Sequence, residues 1–135
     1  MNDVTISYWA VLVAALINMA VGAIWYSQAM FAQQWSELIG RKMTAMRANA
    51  GPGYGVALVA ALVQAFVLAH FVQYAGASGI ISGAETGLVA WLGFVATTSA
   101  ANTVFAGRPW KLWAIDAGYF LVVLVINGAV LAIWT

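Results

Sequence analysis

GYGVALVAALVQAFVLAHFVQY, residues 53–74, is the stretch that decides the fold. It contains no Asp, Glu, Lys or Arg, and its length suits the roughly 20 apolar residues that cross a hydrocarbon core of about 30 Å. Inside lipid, backbone N–H and C=O groups must be bonded within the segment, which selects an α-helix. Working outward, three more apolar runs of similar length lie at about 7–29, 83–105 and 111–134. The breaks between them are chemically marked. Residues 30–52 hold most of the charge and end in Gly51-Pro52-Gly53, with Pro52 placed as proline is at a helix start. Residues 75–82, AGASGIIS, form a turn of mostly small residues, and Gly107-Arg108-Pro109 separates the last two runs.

Composition agrees. Of 135 residues, 64% are hydrophobic and 7% charged, with mean hydropathy +0.92, whereas a soluble domain carries about 25% charged residues. The expectation is an all-α, polytopic membrane protein: one domain over 1–135, built as an antiparallel four-transmembrane-helix bundle. The net charge of +1 offers no basic cluster for a nucleic acid. The absence of cysteine removes disulfides and thiolate chemistry. The acidic start, Met1-Asn2-Asp3, lacks the basic flank of a signal peptide, so the first run reads as a retained span.

Arg41, Lys42 and Arg47 follow the first span, and Arg108 and Lys111 lie between the third and fourth. By the positive-inside rule, loops 30–52 and 106–110 are cytoplasmic and both termini lie outside. A bacterial inner membrane is the expected location. Aromatic belts fit this orientation, with Tyr8, Trp9, Tyr74 and Trp134 at the outer level. A heavier inner group comprises Trp25, Tyr26, Phe31, Trp35, Tyr54, Phe105, Trp110 and Trp113. In the first loop Phe31, Trp35, Leu38, Ile39, Met43 and Met46 recur at helical spacing. This pattern predicts an amphipathic helix on the membrane surface, interrupted near Gly40.

Helices in lipid associate through close packing and hydrogen bonds. The second span carries Gly53, Ala57, Ala61, Ala65 and Ala69 on one stripe. The first has Ala10, Ala14, Asn18 and Gly22; the third has Gly83-Gly87 and Gly93-Thr97-Ala101; the fourth has Ala114 and Gly118. Intramembrane polar residues are the candidate functional groups, because each is costly unless paired. Asn18, Gln64 and Thr98 fall near the midplane, Asn102 and Asp116 nearer the cytoplasm, and Asn127 shares a face with Asp116. With a helix period of 3.6, Trp91, Thr98 and Asn102 share one face of the third span. Asp116 is the acid well inside a span. It reads either as a proton- or cation-binding carboxylate with Asn102 and Tyr26, or as a clamp to Arg108 or Asn102. His70 reads as an interfacial anchor or as an axial ligand to haem or a chlorophyll-type pigment. No catalytic constellation or metal cluster is visible, so the chain is expected not to be an enzyme.

Trp25-Tyr26-Ser27 followed by Phe31 and Trp35, Trp91-Leu92-Gly93-Phe94, Asn102-Thr103-Val104-Phe105-Ala106-Gly107-Arg108-Pro109, and Gly118-Tyr119 together resemble the signatures of a family of small bacterial four-helix membrane proteins of uncharacterised function. The resemblance covers nearly the whole chain and implies a four-helix fold without an established activity. It directs attention to Trp25, Tyr26, Asn102, Arg108 and Tyr119. It also implies Asn at the position of Asp116 and His at that of Phe120 in many members, so a titrating Asp116 would not be general. Three readings follow: a structural or accessory subunit associating with itself or a larger membrane complex, a small oligomeric transporter or channel, and a pigment- or cofactor-linked subunit of an energy-converting complex.

Overall fold

In the computed structural model of the protein, residues 4–41 and 50–134 are described. The chain runs α1 (Tyr8–Trp25), α2 (Ala32–Ile39), α3 (Ala50–Tyr74), α4 (Ile80–Ala90), a π-helical segment (Trp91–Ala96), α5 (Thr97–Ala106) and α6 (Trp110–Ile133). No strand occurs among the described residues. Four helices are long and apolar enough to cross a membrane, with α4, the π-segment and α5 forming one continuous span over Ile80–Ala106. The protein is a multi-pass membrane protein.

Each boundary has a local cause. Ser7 caps α1 by accepting from the Ala10 N–H at 3.3 Å. That helix stops at Trp25, earlier than expected, because the chain turns there: Ser27 Oγ donates to the Ile24 carbonyl at 2.6 Å. Gly40 ends α2 at φ 72° and Gly107 ends α5 at φ 65°, a left-handed conformation that glycine adopts without strain. Met43 and Met46, expected to extend the amphipathic segment, lie outside the described residues, as do Lys42 and Arg47.

The packing is antiparallel between chain neighbours and between the first and last helices. Asn18 meets Gln64 and Thr5 meets Gln73 across α1 and α3. Asn127 reaches Ala14, and Asp116 reaches Tyr26, across α6 and α1. Gly83 faces Gly128 and Gly87 faces Leu124 where α4 meets α6. Thus α6 is central, touching α1, α3 and the third span. The apolar core gathers Val11, Ala14, Ala65, Leu68, Val72, Leu124 and Leu131. These residues lie toward the end where both termini emerge, called here the terminal end. At the opposite, basic end α3 departs from the bundle, and residues 51–60 are all exposed.

This departure corrects the small-residue stripe. Ala61, Ala65 and Ala69 are buried, but Gly53 and Ala57 are exposed. On the fourth span Gly118 lies beneath the Trp25 ring, where an added Cβ would come within 3.3 Å of the indole. The tightest approach uses Gly83, Gly87 and Gly128: a Cβ on Gly87 would fall on the Leu124 carbonyl, and one on Gly128 on the Gly83 carbonyl. Gly128 was not anticipated from the sequence.

Candidate functional site

The intramembrane polar residues form a seam where α1, α3 and α6 meet. Asn18, only 5% exposed, donates from Nδ2 to Gln64 Oε1 at 3.0 Å. The Tyr119 hydroxyl donates back to the Asn18 side-chain oxygen and lies 3.1 Å from its backbone carbonyl. Gly22 makes that reach possible, since a Cβ there would come within 3.1 Å of the Tyr119 hydroxyl. The Tyr119 ring meets the Tyr26 ring edge-on, with centroids 5.5 Å apart. Tyr26 in turn donates its hydroxyl to Asp116 Oδ1 at 2.6 Å. Asp116 therefore joins the seam through Tyr26.

Trp35 of α2 packs edge-on against Tyr26 at 5.3 Å, and Phe31 packs on Trp25 at 4.9 Å. The amphipathic helix is thereby held against the bundle, with Ala32 and Ser36 buried. It covers the Tyr26 end of the seam instead of lying free on the surface. Toward the terminal end, Asn127 donates to the Ala14 carbonyl at 2.9 Å, while its buried Oδ1 has no partner among the described residues.

The expected polar cluster is therefore smaller than the sequence suggested. Asn102 and Arg108 are exposed, and neither bonds Asp116 among the described residues. Thr98 is also exposed and returns its hydroxyl to the Phe94 carbonyl of its own helix at 2.6 Å. The π-segment is the cause. One wide turn inserts an extra residue, about 100° of rotation, so the face of Trp91 is not continued by Thr98 and Asn102. Trp91 points inward and donates Nε1 to the Ala117 carbonyl at 2.8 Å. Trp25 donates to the Ile115 carbonyl at 2.9 Å, and Trp113 to Ser99 Oγ at 3.0 Å. The Trp25 and Trp113 indoles thus tie helices together where the sequence pattern suggested interfacial anchoring.

His70 Nδ1 lies 2.8 Å from the Phe66 carbonyl of its own helix. A carbonyl only accepts, so Nδ1 is the donor in this contact, and Nε2 is left outside it. Phe66 and Tyr74 pack edge-on to its ring at 4.6 and 6.0 Å. Among the described residues no three of His, Cys, Asp and Glu come together.

Residues 9–132 match a family described as a protein of unknown function, DUF1761. The chain belongs to the DUF1761 family. No curated protein and no solved structure matches it. The match takes in every helix of the bundle and every residue of the seam. For this DUF1761 member the seam's chemistry is cross-linking by hydrogen bonds: two amides, two phenols and one carboxyl, each held by a neighbouring helix. Asp116→Asn keeps an oxygen that accepts from Tyr26 and is expected to change stability by less than about 0.5 kcal/mol. Tyr26→Phe removes the donor and is expected to cost about 1–2 kcal/mol. Thermal unfolding in a mild detergent compares the two directly.

Proposed function

We propose that this is a non-catalytic structural or accessory membrane protein that associates with a second copy of itself in a bacterial inner membrane. Both termini face outward and the basic loops face the cytoplasm. The observation behind this reading is the exposed run 51–60 at the basic end of α3. A helix surrounded by lipid loses nothing by carrying bulky side chains, yet this one presents Gly53, Gly55, Ala57 and Ala60. Small residues at such spacing let a second backbone approach closely, which is how helices associate without a hydrophobic driving force. The seam supports a scaffold role, since its hydrogen bonds run between helices of one chain. In the sequence all five Lys and Arg residues follow the first or the third span, which supports the orientation.

The chain has no cysteine, so a single introduced cysteine reports without background. Ala57→Cys is expected to form an oxidative cross-link in native membranes of twice the monomer mass, and Leu12→Cys, exposed on α1, is not. An uncross-linked Ala57→Cys would refute self-association, and a heavier product would assign the face to another protein. For the orientation, Ser78→Cys should react with an impermeant maleimide on intact cells. Gln34→Cys should react only after permeabilisation, and the reverse pattern would invert the topology.

A further inference from the structure

At the terminal end, away from the self-association face, α3 and α4 diverge around an open cleft of about 420 Å³ lined by Phe71, Ser82, Glu85, Thr86, Val89 and Phe94. Its lower wall is apolar, and the Phe71 and Phe94 rings stand 6.1 Å apart. Its upper wall is polar in one sense only. Thr86 spends its hydroxyl proton on the Ser82 carbonyl at 2.8 Å, and Ser82 spends its own on the Gly79 carbonyl at 3.2 Å. Ser82 Oγ also accepts from the Gly79 N–H at 3.1 Å, so the hydroxyl oxygen left for a visitor is chiefly that of Thr86. Glu85 adds a carboxylate that is exposed and unpaired among the described residues. It stands beyond the first turn of α4, where the helix dipole that commonly favours an acid has faded.

Depth narrows the occupant. Glu85 lies about 7–8 Å along the helix from Ile80, within an interfacial layer roughly 5–8 Å thick on each side of the hydrocarbon core. We propose that this cleft binds an amine-bearing phospholipid of the phosphatidylethanolamine type. Its ammonium lies on Glu85 and Thr86, and one acyl chain descends past Val89, Phe71 and Phe94. A primary ammonium has three donors and no acceptor, which complements the Glu85 carboxylate and the Thr86 hydroxyl oxygen. An anionic headgroup meets the carboxylate with like charge. Among the described residues Arg41, Arg108 and Lys111 lie at the other end, so a parallel second copy brings none of them to this level. The lone histidine, His70, is the side chain to vary in a test for a second copy.

The test is native mass spectrometry of the full chain released from nanodiscs of equal phosphatidylethanolamine, phosphatidylcholine and phosphatidylglycerol. Phosphatidylethanolamine should be retained about tenfold over phosphatidylglycerol, the ratio expected for one charge-assisted hydrogen-bonded contact. Phosphatidylcholine, which keeps the charge without the donors, should fall between them. Glu85→Gln should bring all three to the bulk ratio, and Glu37→Gln, an exposed carboxylate at the basic end, should not. Thr86→Val preserves shape and should lower the preference in part, so the inference stays testable if Glu85→Gln folds poorly. Equal retention of the three lipids by the unaltered chain would overturn it. So would a dimer abolished by both Glu85→Gln and His70→Ala but indifferent to lipid, which would assign the cleft to a second copy. Loss of the Ala57→Cys cross-link leaves this readout untouched, so the two proposals fail separately.

Discussion

Gly87→Ala is expected to destabilise the bundle by about 3 kcal/mol, at the upper end of what overpacking a tight contact costs. The reason is backbone against backbone. At Gly87 the third span lies on α6 so closely that a methyl group would occupy the position of the Leu124 carbonyl. A flexible side chain could swing aside, but a carbonyl inside a helix moves only with the helix. Gly83 and Gly128 repeat the situation one turn further toward the terminal end, each facing the other's backbone. Relief at one point therefore separates the pair along its length. Gly93→Ala is the control: it lies on the same span with nothing within 4 Å of its added Cβ. It should lose nothing and could gain up to about 1 kcal/mol from helix propensity. Titration with SDS in mixed micelles, followed by tryptophan fluorescence, gives both midpoints. Equal midpoints for the two variants would show that the third span does not dock on α6 through Gly87.

The four membrane helices were legible because the bilayer imposes length and apolarity on each segment independently of its neighbours. The pairing of Asn18 with Gln64 was legible too, since two amides at the midplane of adjacent antiparallel helices have few alternatives to one another. Legibility ended where rotation about a helix axis decides the answer. Asn102 and Asp116 share a depth, but the π-segment at Trp91–Ala96 turns Asn102 outward, and no residue type in WLGFVA announces an extra residue in a turn. Asp116 consequently meets Tyr26 alone among the partners proposed for it. The alanine stripe failed differently. Its spacing describes a face able to pack along its whole length, and Ala61, Ala65 and Ala69 use it within the chain. Gly53 and Ala57 do not, because α3 leaves the bundle before reaching them. Gly128 was overlooked although Ala132 stands four residues on; what marks it are its partners across the interface, Gly83 and Gly87. Tyr119 was flagged by family resemblance alone. Its role as the link between Asn18 and Tyr26 depends on Gly22 being small enough to pass under, a relation between two helices.

Asn18→Ala is expected to be the most damaging single change in the seam, costing about 2–3 kcal/mol. Asn18 is the one side chain holding both neighbours, donating to Gln64 on α3 and accepting from Tyr119 on α6. Its loss leaves the Gln64 oxygen without this donor and the Tyr119 hydroxyl with only the residue-18 backbone carbonyl, and unmade bonds between half-buried groups cost more than made ones contribute. Gln64→Ala and Tyr119→Phe each remove one partner and should cost about 1 kcal/mol apiece. The double-mutant cycle distinguishes a hydrogen-bond effect from a packing effect. Once Asn18 is alanine, Tyr119 keeps only the residue-18 backbone carbonyl, 3.1 Å away, as acceptor, so Tyr119→Phe should cost less than it does in the unaltered chain. The resulting coupling should fall between about 0.6 and 1.7 kcal/mol, the range from average to largest for hydrogen bonds between membrane helices. Coupling near zero would mean that Tyr119 and Asn18 are neighbours without a bond. In that case the seam would reduce to two separate contacts, Asn18 with Gln64 and Tyr26 with Asp116, and α6 would be held to α1 by the Tyr26 contact, Asn127 and the Trp25 indole.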